Sequence, residues 1–215
     1  MNRVWRLMRS TPVTTTYVAI IAAIAIGSLL MGDAFADRIA RDSSTDLDNL
    51  TSVPELVLPA SAFVLDHPSQ LALLPLLALA MGAVERWRGS LAAALTFLAG
   101  HIGATLLVAG WLAAGISLGW VQPSYQHVVD VGVSYGEAAL WGLLAARVPR
   151  RWRPTYLGSQ ALGLLAFLAV RHGFTDIGHF VGWVIGLGLA ALLIRRARDE
   201  RAVPAAPPAT PTPAH

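Results

Sequence analysis

Ser134, in Gly132-Val133-Ser134-Tyr135-Gly136, and His179, in His179-Phe180-Val181-Gly182-Trp183-Val184-Ile185-Gly186, sit on two separate apolar segments of membrane length. A serine hydroxyl is a weak nucleophile until a base takes its proton, so a histidine at matching depth on a neighbouring helix is the least that serine hydrolase chemistry requires. Counting toward the next arginine cluster gives 13 residues from Ser134 to Arg147 and 16 from His179 to Arg195. At 1.5 Å per helical residue these distances are roughly 20 and 24 Å. Both side chains are therefore expected about 6 to 10 Å below the far face of a hydrocarbon core roughly 30 Å thick. Polar groups at such depth face protein or water rather than lipid, which marks them as candidates for chemistry.

The elements that must position them follow from hydropathy. Of 215 residues, 55% are hydrophobic and only 13% charged, a balance that excludes a soluble core and describes a polytopic, all-α membrane protein. All 16 basic residues are arginine, and they cluster at the ends of apolar segments, so the positive balance is topological and implies no nucleic acid partner. With no cysteine, disulfides, thiolate metal sites and cysteine nucleophiles are excluded. Six spans are expected, near residues 14–33, 67–84, 91–115, 129–147, 154–170 and 176–194. The second contains Pro75 and has a purely apolar stretch only from Leu71 to Val84; an earlier start at Ala60 is the alternative, with Asp66 and His67 in a break. In this six-span arrangement the arginine clusters at 3–9, 86–88, 147–153 and 195–201 share one side, leaving Arg38, Arg41 and Arg171 on the other. The positive-inside rule then puts both termini in the cytoplasm of a cell whose plasma (inner) membrane holds the protein. Residues 1–13 form a short cytoplasmic N-terminus, 14–198 one membrane domain with an external loop at 34–66, and 199–215 an Ala/Pro-rich tail expected to be disordered.

Further polar residues could support the pair. Asp130, Ser134 and Glu137 fall at i, i+4 and i+7 and would line one face of a continuous helix, while Asp176 stands one turn before His179. Glu137 could orient His179 or join a buried polar network. His101, between Gly100 and Gly103, is expected to bond to a neighbouring helix and is also a candidate oxyanion donor. No metal-ligand spacing is present, and neither a metal nor another cofactor is expected.

Taken in order, these features resemble the rhomboid family of intramembrane serine proteases. The resemblance is carried by Ala60-Ser61-Ala62-Phe63, by the turn Glu85-Arg86-Trp87-Arg88-Gly89-Ser90, by Leu98-Ala99-Gly100-His101-Ile102-Gly103, by Gly132-Val133-Ser134 and by Asp176 through Gly186. It implies a bacterial-type bundle of six transmembrane helices. Within it, Ser134 would be the nucleophile and His179 the general base of a serine endopeptidase that cleaves transmembrane substrates. The chain also departs from the family's pattern. Residues 69–74 lack the His and Asn that support the oxyanion, Tyr135 follows the serine where Gly is usual, and Ala138 stands where an aromatic residue commonly stacks on the histidine. A second register, aligning Gly142 with a later family glycine, places Glu137 at the nucleophile position. Non-catalytic relatives that bind transmembrane segments of client proteins form the alternative. A small transporter using Glu137 and Asp130 is a weaker reading, because no inverted repeat is evident.

Overall fold

A computed structural model describes residues 3–171 and 173–202, and these form an all-helical chain. In order, the helices are α1 (Arg3–Ser10), α2 (Pro12–Met31), α3 (Asp33–Asp42), α4 (Leu47–Ser52), α5 (Pro54–Ala60), α6 (Leu74–Arg88), α7 (Ser90–Ser117), α8 (Ser134–Leu144), α9 (Arg153–Arg171) and α10 (Phe174–Ala202). Short 3-10 turns at Ser61–Phe63, Pro68–Leu73 and Pro123–His127 link them. Residues 203–215, which hold nearly all of the expected tail, lie outside the described residues. Residues 199–202 belong to α10, whose run of Arg, Ala, Asp and Glu contains nothing that breaks a helix.

Among the described residues, four helical stretches are long and apolar enough to cross a bilayer: Pro12–Met31, Gln70–Arg88, Ser90–Ser117 and Phe174–Glu200. Their outer faces carry exposed Leu29, Leu30, Leu79, Leu95, Leu106, Leu107, Phe180 and Leu192, as expected of surfaces that meet lipid. The expected count of six is thus met by four helices of this kind. The fourth expected span, 129–147, contains only the 11-residue α8, about 16 Å long at 1.5 Å per residue. Its chain stays extended until Gly132 and breaks into turns after Leu144. The fifth corresponds to α9, whose first half, with Arg153, Thr155, Ser159 and Gln160, is polar for a span.

The close packing of α8 between α7 and α10 organises the bundle. Gly178, Gly182 and Gly186 repeat every fourth residue along α10 and so lie on one face. A Cβ on Gly182 would fall onto the carbonyl oxygen of Tyr135, and one on Gly186 onto that of Ala139. From the other helix, a Cβ on Gly142 would meet Trp183 O and lie 2.9 Å from Leu187 N. On the α7 side, Gly100 faces Ala139 and Gly136 faces the Phe97 ring. Helices in lipid gain little from hydrophobic exclusion, so small residues that let backbones approach supply the association through van der Waals contact.

At the arginine-bearing end, Glu85 fastens α2 to the turn between α6 and α7. Its carboxylate accepts from Val13 N (2.9 Å), Thr14 N (2.8 Å), Thr14 Oγ1 (2.6 Å) and Ser90 Oγ (2.7 Å). It thereby satisfies amides that the first turn of α2 would otherwise leave unpaired. About one turn further along α2, Tyr17 donates to Ala62 O and its ring packs edge-on against Phe63 and Phe97.

Replacing Gly186 with Val is expected to destabilise the protein by about 1–3 kcal/mol or more, because the added atoms meet backbone that cannot swing aside. Gly188→Ala is the control, since nothing lies within 4 Å of its Cβ position. Thermal unfolding of the purified variants in detergent checks both: a large drop for the first and no drop for the second.

Candidate functional site

The site is built around the start of α8. The chain reaches it through Asp130, Val131 and Gly132, and Gly132 adopts φ +132, a region that residues bearing a Cβ rarely enter. Its N–H donates to Ser61 O at 2.9 Å, fixing the turn against the end of α5. Ser134 is the first residue of α8, where amide groups without intrahelical partners and the helix dipole favour negative charge.

Asp130 precedes the helix and does not share its face, because the turn at Gly132 separates the two. The structure therefore replaces the expected continuous face of Asp130, Ser134 and Glu137. The segment between α2 and α6 instead grips Asp130: Ser44 Oγ accepts from its N–H (3.0 Å), and Thr45 donates from both N and Oγ1 to its carbonyl (2.9 Å each). Tyr135 OH donates to its carboxylate at 3.0 Å. Nearby, at the exposed surface, His127 Nδ1 lies 2.6 Å from Asp48 Oδ2, a second tie between the loop and the approach to α8.

His179 lies on the first turns of α10. Asp176, buried one turn earlier, accepts from Gly173 N at 3.1 Å and places Oδ1 3.9 Å from His179 Nδ1. Tyr135 is also a neighbour of the imidazole, its ring standing edge-on to it with centroids 5.5 Å apart. This aromatic contact comes from the residue directly after the serine rather than from position 138. The glycine at 178 makes room for it, since a Cβ there would enter the Tyr135 ring. The sequence signal was available in the Gly178/Gly182 spacing, which predicts a close neighbour without naming it.

Ser134 itself is half-buried and borders a narrow, partly open recess shared with Thr45, His101, Thr105, Asp130 and Gly132. Among the described residues, no hydrogen bond joins Ser134 to His179; Tyr135 is the residue that connects their surroundings. His101 is fully buried on α7. Its Nε2 lies 3.0 Å from Ser61 Oγ and 3.2 Å from Leu58 O, and because a carbonyl only accepts, Nε2 is assigned the proton. Nδ1 then offers only a lone pair, and it has no partner among the described residues. In this tautomer His101 donates to the end of α5 and not toward Ser134. Its partners thus lie in the short helix α5 and at Ser61 just after it. Glu137 accepts from Trp141 Nε1 at 3.1 Å, one turn along its own helix, and is not paired with His179 among the described contacts. The described residues contain no cluster of three or more potential metal ligands.

An all-helical membrane bundle, with a glycine-packed central helix that begins at a serine and abuts a helix bearing a histidine, defines a class of intramembrane protein. The family model described as rhomboid-like protein matches residues 6–200. The chain belongs to that rhomboid-like family. Comparison with curated proteins and with solved structures finds no match.

Tyr135→Phe removes one of the donors that hold the buried Asp130 carboxylate, and is expected to cost about 1–3 kcal/mol. Ser134→Ala removes no hydrogen bond described here and is expected to stay within about 0.5 kcal/mol of the parent. Parallel melting curves of the two variants check this contrast.

Proposed function

We propose that this rhomboid-like protein is an intramembrane serine endopeptidase in which Ser134 is the nucleophile and His179 the base. The observation that carries this reading is the Asp176–His179–Tyr135 arrangement beside Ser134: an acid faces Nδ1, a ring holds the imidazole edge-on, and the serine is the next residue. With Nδ1 directed at Asp176, Nε2 is the atom that takes the proton from Ser134 Oγ as the hydroxyl attacks a substrate carbonyl. The oxyanion that forms would be met by the amides of the first turn of α8, since His101 has its Nε2 proton committed to Leu58 and Ser61. The imidazolium then protonates the departing amine, and water repeats the sequence on the acyl-enzyme. Because apo contacts of catalytic pairs are often long, the missing Ser134–His179 hydrogen bond is compatible with this cycle, provided that substrate binding widens the narrow recess at Ser134. Substrates on this reading are transmembrane segments of other proteins. Both termini lie in the cytoplasm, and the protein resides in the plasma (inner) membrane of a bacterial cell.

Two observations favour a second reading. The recess at Ser134 is too narrow to hold a substrate strand as it stands, and no His–Asn pair supports an oxyanion from the segment before α6. A non-catalytic protein that binds transmembrane segments of clients would need neither.

Labelling of the purified protein by a fluorophosphonate probe separates the two. Protease function predicts labelling of the parent, abolition in Ser134→Ala, and a drop of about a hundredfold or more in His179→Ala, the usual share of a general base. Absence of labelling in folded parent protein would sink the enzymatic reading in favour of client binding.

A further inference from the structure

An apolar groove of about 590 Å³ runs between α2 and α6. Val18, Ala22, Pro75 and Ala78 line its length, with Thr11 and Arg86 at its mouth. Small residues on both helices keep it open. Gly82, for example, leaves ordinary van der Waals space beside Thr11 and Thr14. The proposed chemistry does not use this groove.

Its length and its charge each indicate what fills it. Pro75 to Arg86 is 11 residues, or about 16 Å of helix, close to the thickness of one leaflet, which is half of a core roughly 30 Å thick. An acyl chain of a single leaflet would fill such a groove, whereas a partner helix would need a seam across the whole core. The mouth lies at the arginine-bearing end. Arg86 lines it and is exposed, Arg9 follows Met8, which also borders the groove, and Arg6 and Arg88 are exposed nearby in sequence. Glu85 is the one acidic residue in α1, α2, α6 and α7. Its carboxylate is bound to Val13, Thr14 and Ser90, so it is committed to the α2 start rather than to these arginines. Among the described residues, no arginine here forms an ion pair with a carboxylate. Positive charge therefore stands uncompensated at one end of an apolar channel one leaflet long.

We propose that this groove is a binding site for an anionic glycerophospholipid, with one acyl chain laid between α2 and α6 and the headgroup phosphate held at Arg86. A guanidinium matches phosphate oxygens through paired N–H donors, and the desolvated chain contributes apolar burial along the groove. Such a lipid would bridge the two helices that Glu85 already joins.

Native mass spectrometry of the full-length protein, delipidated in mild detergent and titrated with phosphatidylglycerol or phosphatidylcholine of identical chains, tests the proposal. The expected result is retention of phosphatidylglycerol with at least about tenfold preference, falling to parity in Arg86→Gln, whose exposed side chain leaves the fold intact. Ala78→Phe, which fills the groove, is expected to weaken retention of phosphatidylglycerol about tenfold, and Ala19→Leu on the exposed opposite wall serves where Ala78→Phe fails to fold. Equal retention of both lipids by the parent overturns the proposal. So does a preference that survives Arg86→Gln, or a bound second polypeptide in place of lipid.

Discussion

The contact on which the rest depends is the near-touch of backbones between α8 and α10. Where Gly182 and Gly186 stand against the carbonyls of Tyr135 and Ala139, the helix axes come closer than any side chain would allow. Dispersion attraction falls steeply with even a small gap, so this proximity gives a helix of only 11 residues enough contact to hold its place between two much longer ones. It also fixes rotation. With those carbonyls facing α10, the Tyr135 ring is directed at Gly178 and His179, and Ser134 falls on the side nearer α7.

The segment between α2 and α6 closes the other side of the same helix. Residues Ser44 and Thr45 clasp Asp130, Ser61 O receives Gly132 N, Ser61 Oγ meets His101, and Tyr17 reaches Ala62 O. Three transmembrane elements thus converge through hydrogen bonds on one short stretch of irregular backbone. Irregular backbone near the membrane requires this: polar groups without water must find protein partners, and serine, threonine and aspartate supply them from a loop. The loop is therefore a structural component of the site and not merely a connection between α2 and α6.

Much of the framework could be read from the residues. The long apolar runs of α2, α7 and α10, the break before α6 at Asp66 and His67, and the close-packing face of Gly178, Gly182 and Gly186 all follow from local pattern. The brevity of α8 could not, because the residues from Val131 to Ala146 are as apolar as a span, and it is the backbone at Gly132 and the turns after Leu144 that end the helix. Asp130 was misassigned to the face of Ser134 for the same reason. Its partners Ser44 and Thr45 lie more than 80 positions away, beyond any periodicity. Tyr135 was legible only in part: it stood out as a departure at the position after the serine, yet the ring that braces the imidazole was sought at 138.

Placing the aromatic brace next to the serine has a chemical consequence. An aromatic residue one turn further along the helix can hold the imidazole while leaving the backbone beside the nucleophile bare, which suits an oxyanion that must approach amide groups closely. Here one residue both braces His179 and, through its hydroxyl, ties the start of α8 to Asp130. Any movement that opens space at Ser134 by shifting Tyr135 must therefore disturb His179 and the loop together. On the proposed reading, opening of the site and alignment of Ser134 with His179 become one coupled event, driven by a substrate helix that displaces the segment between α2 and α6. The same coupling would let a client segment, once bound against the loop, lock the closed arrangement without chemistry. The two functional readings thus differ in the direction in which one shared hinge, Tyr135 on Asp130, is driven.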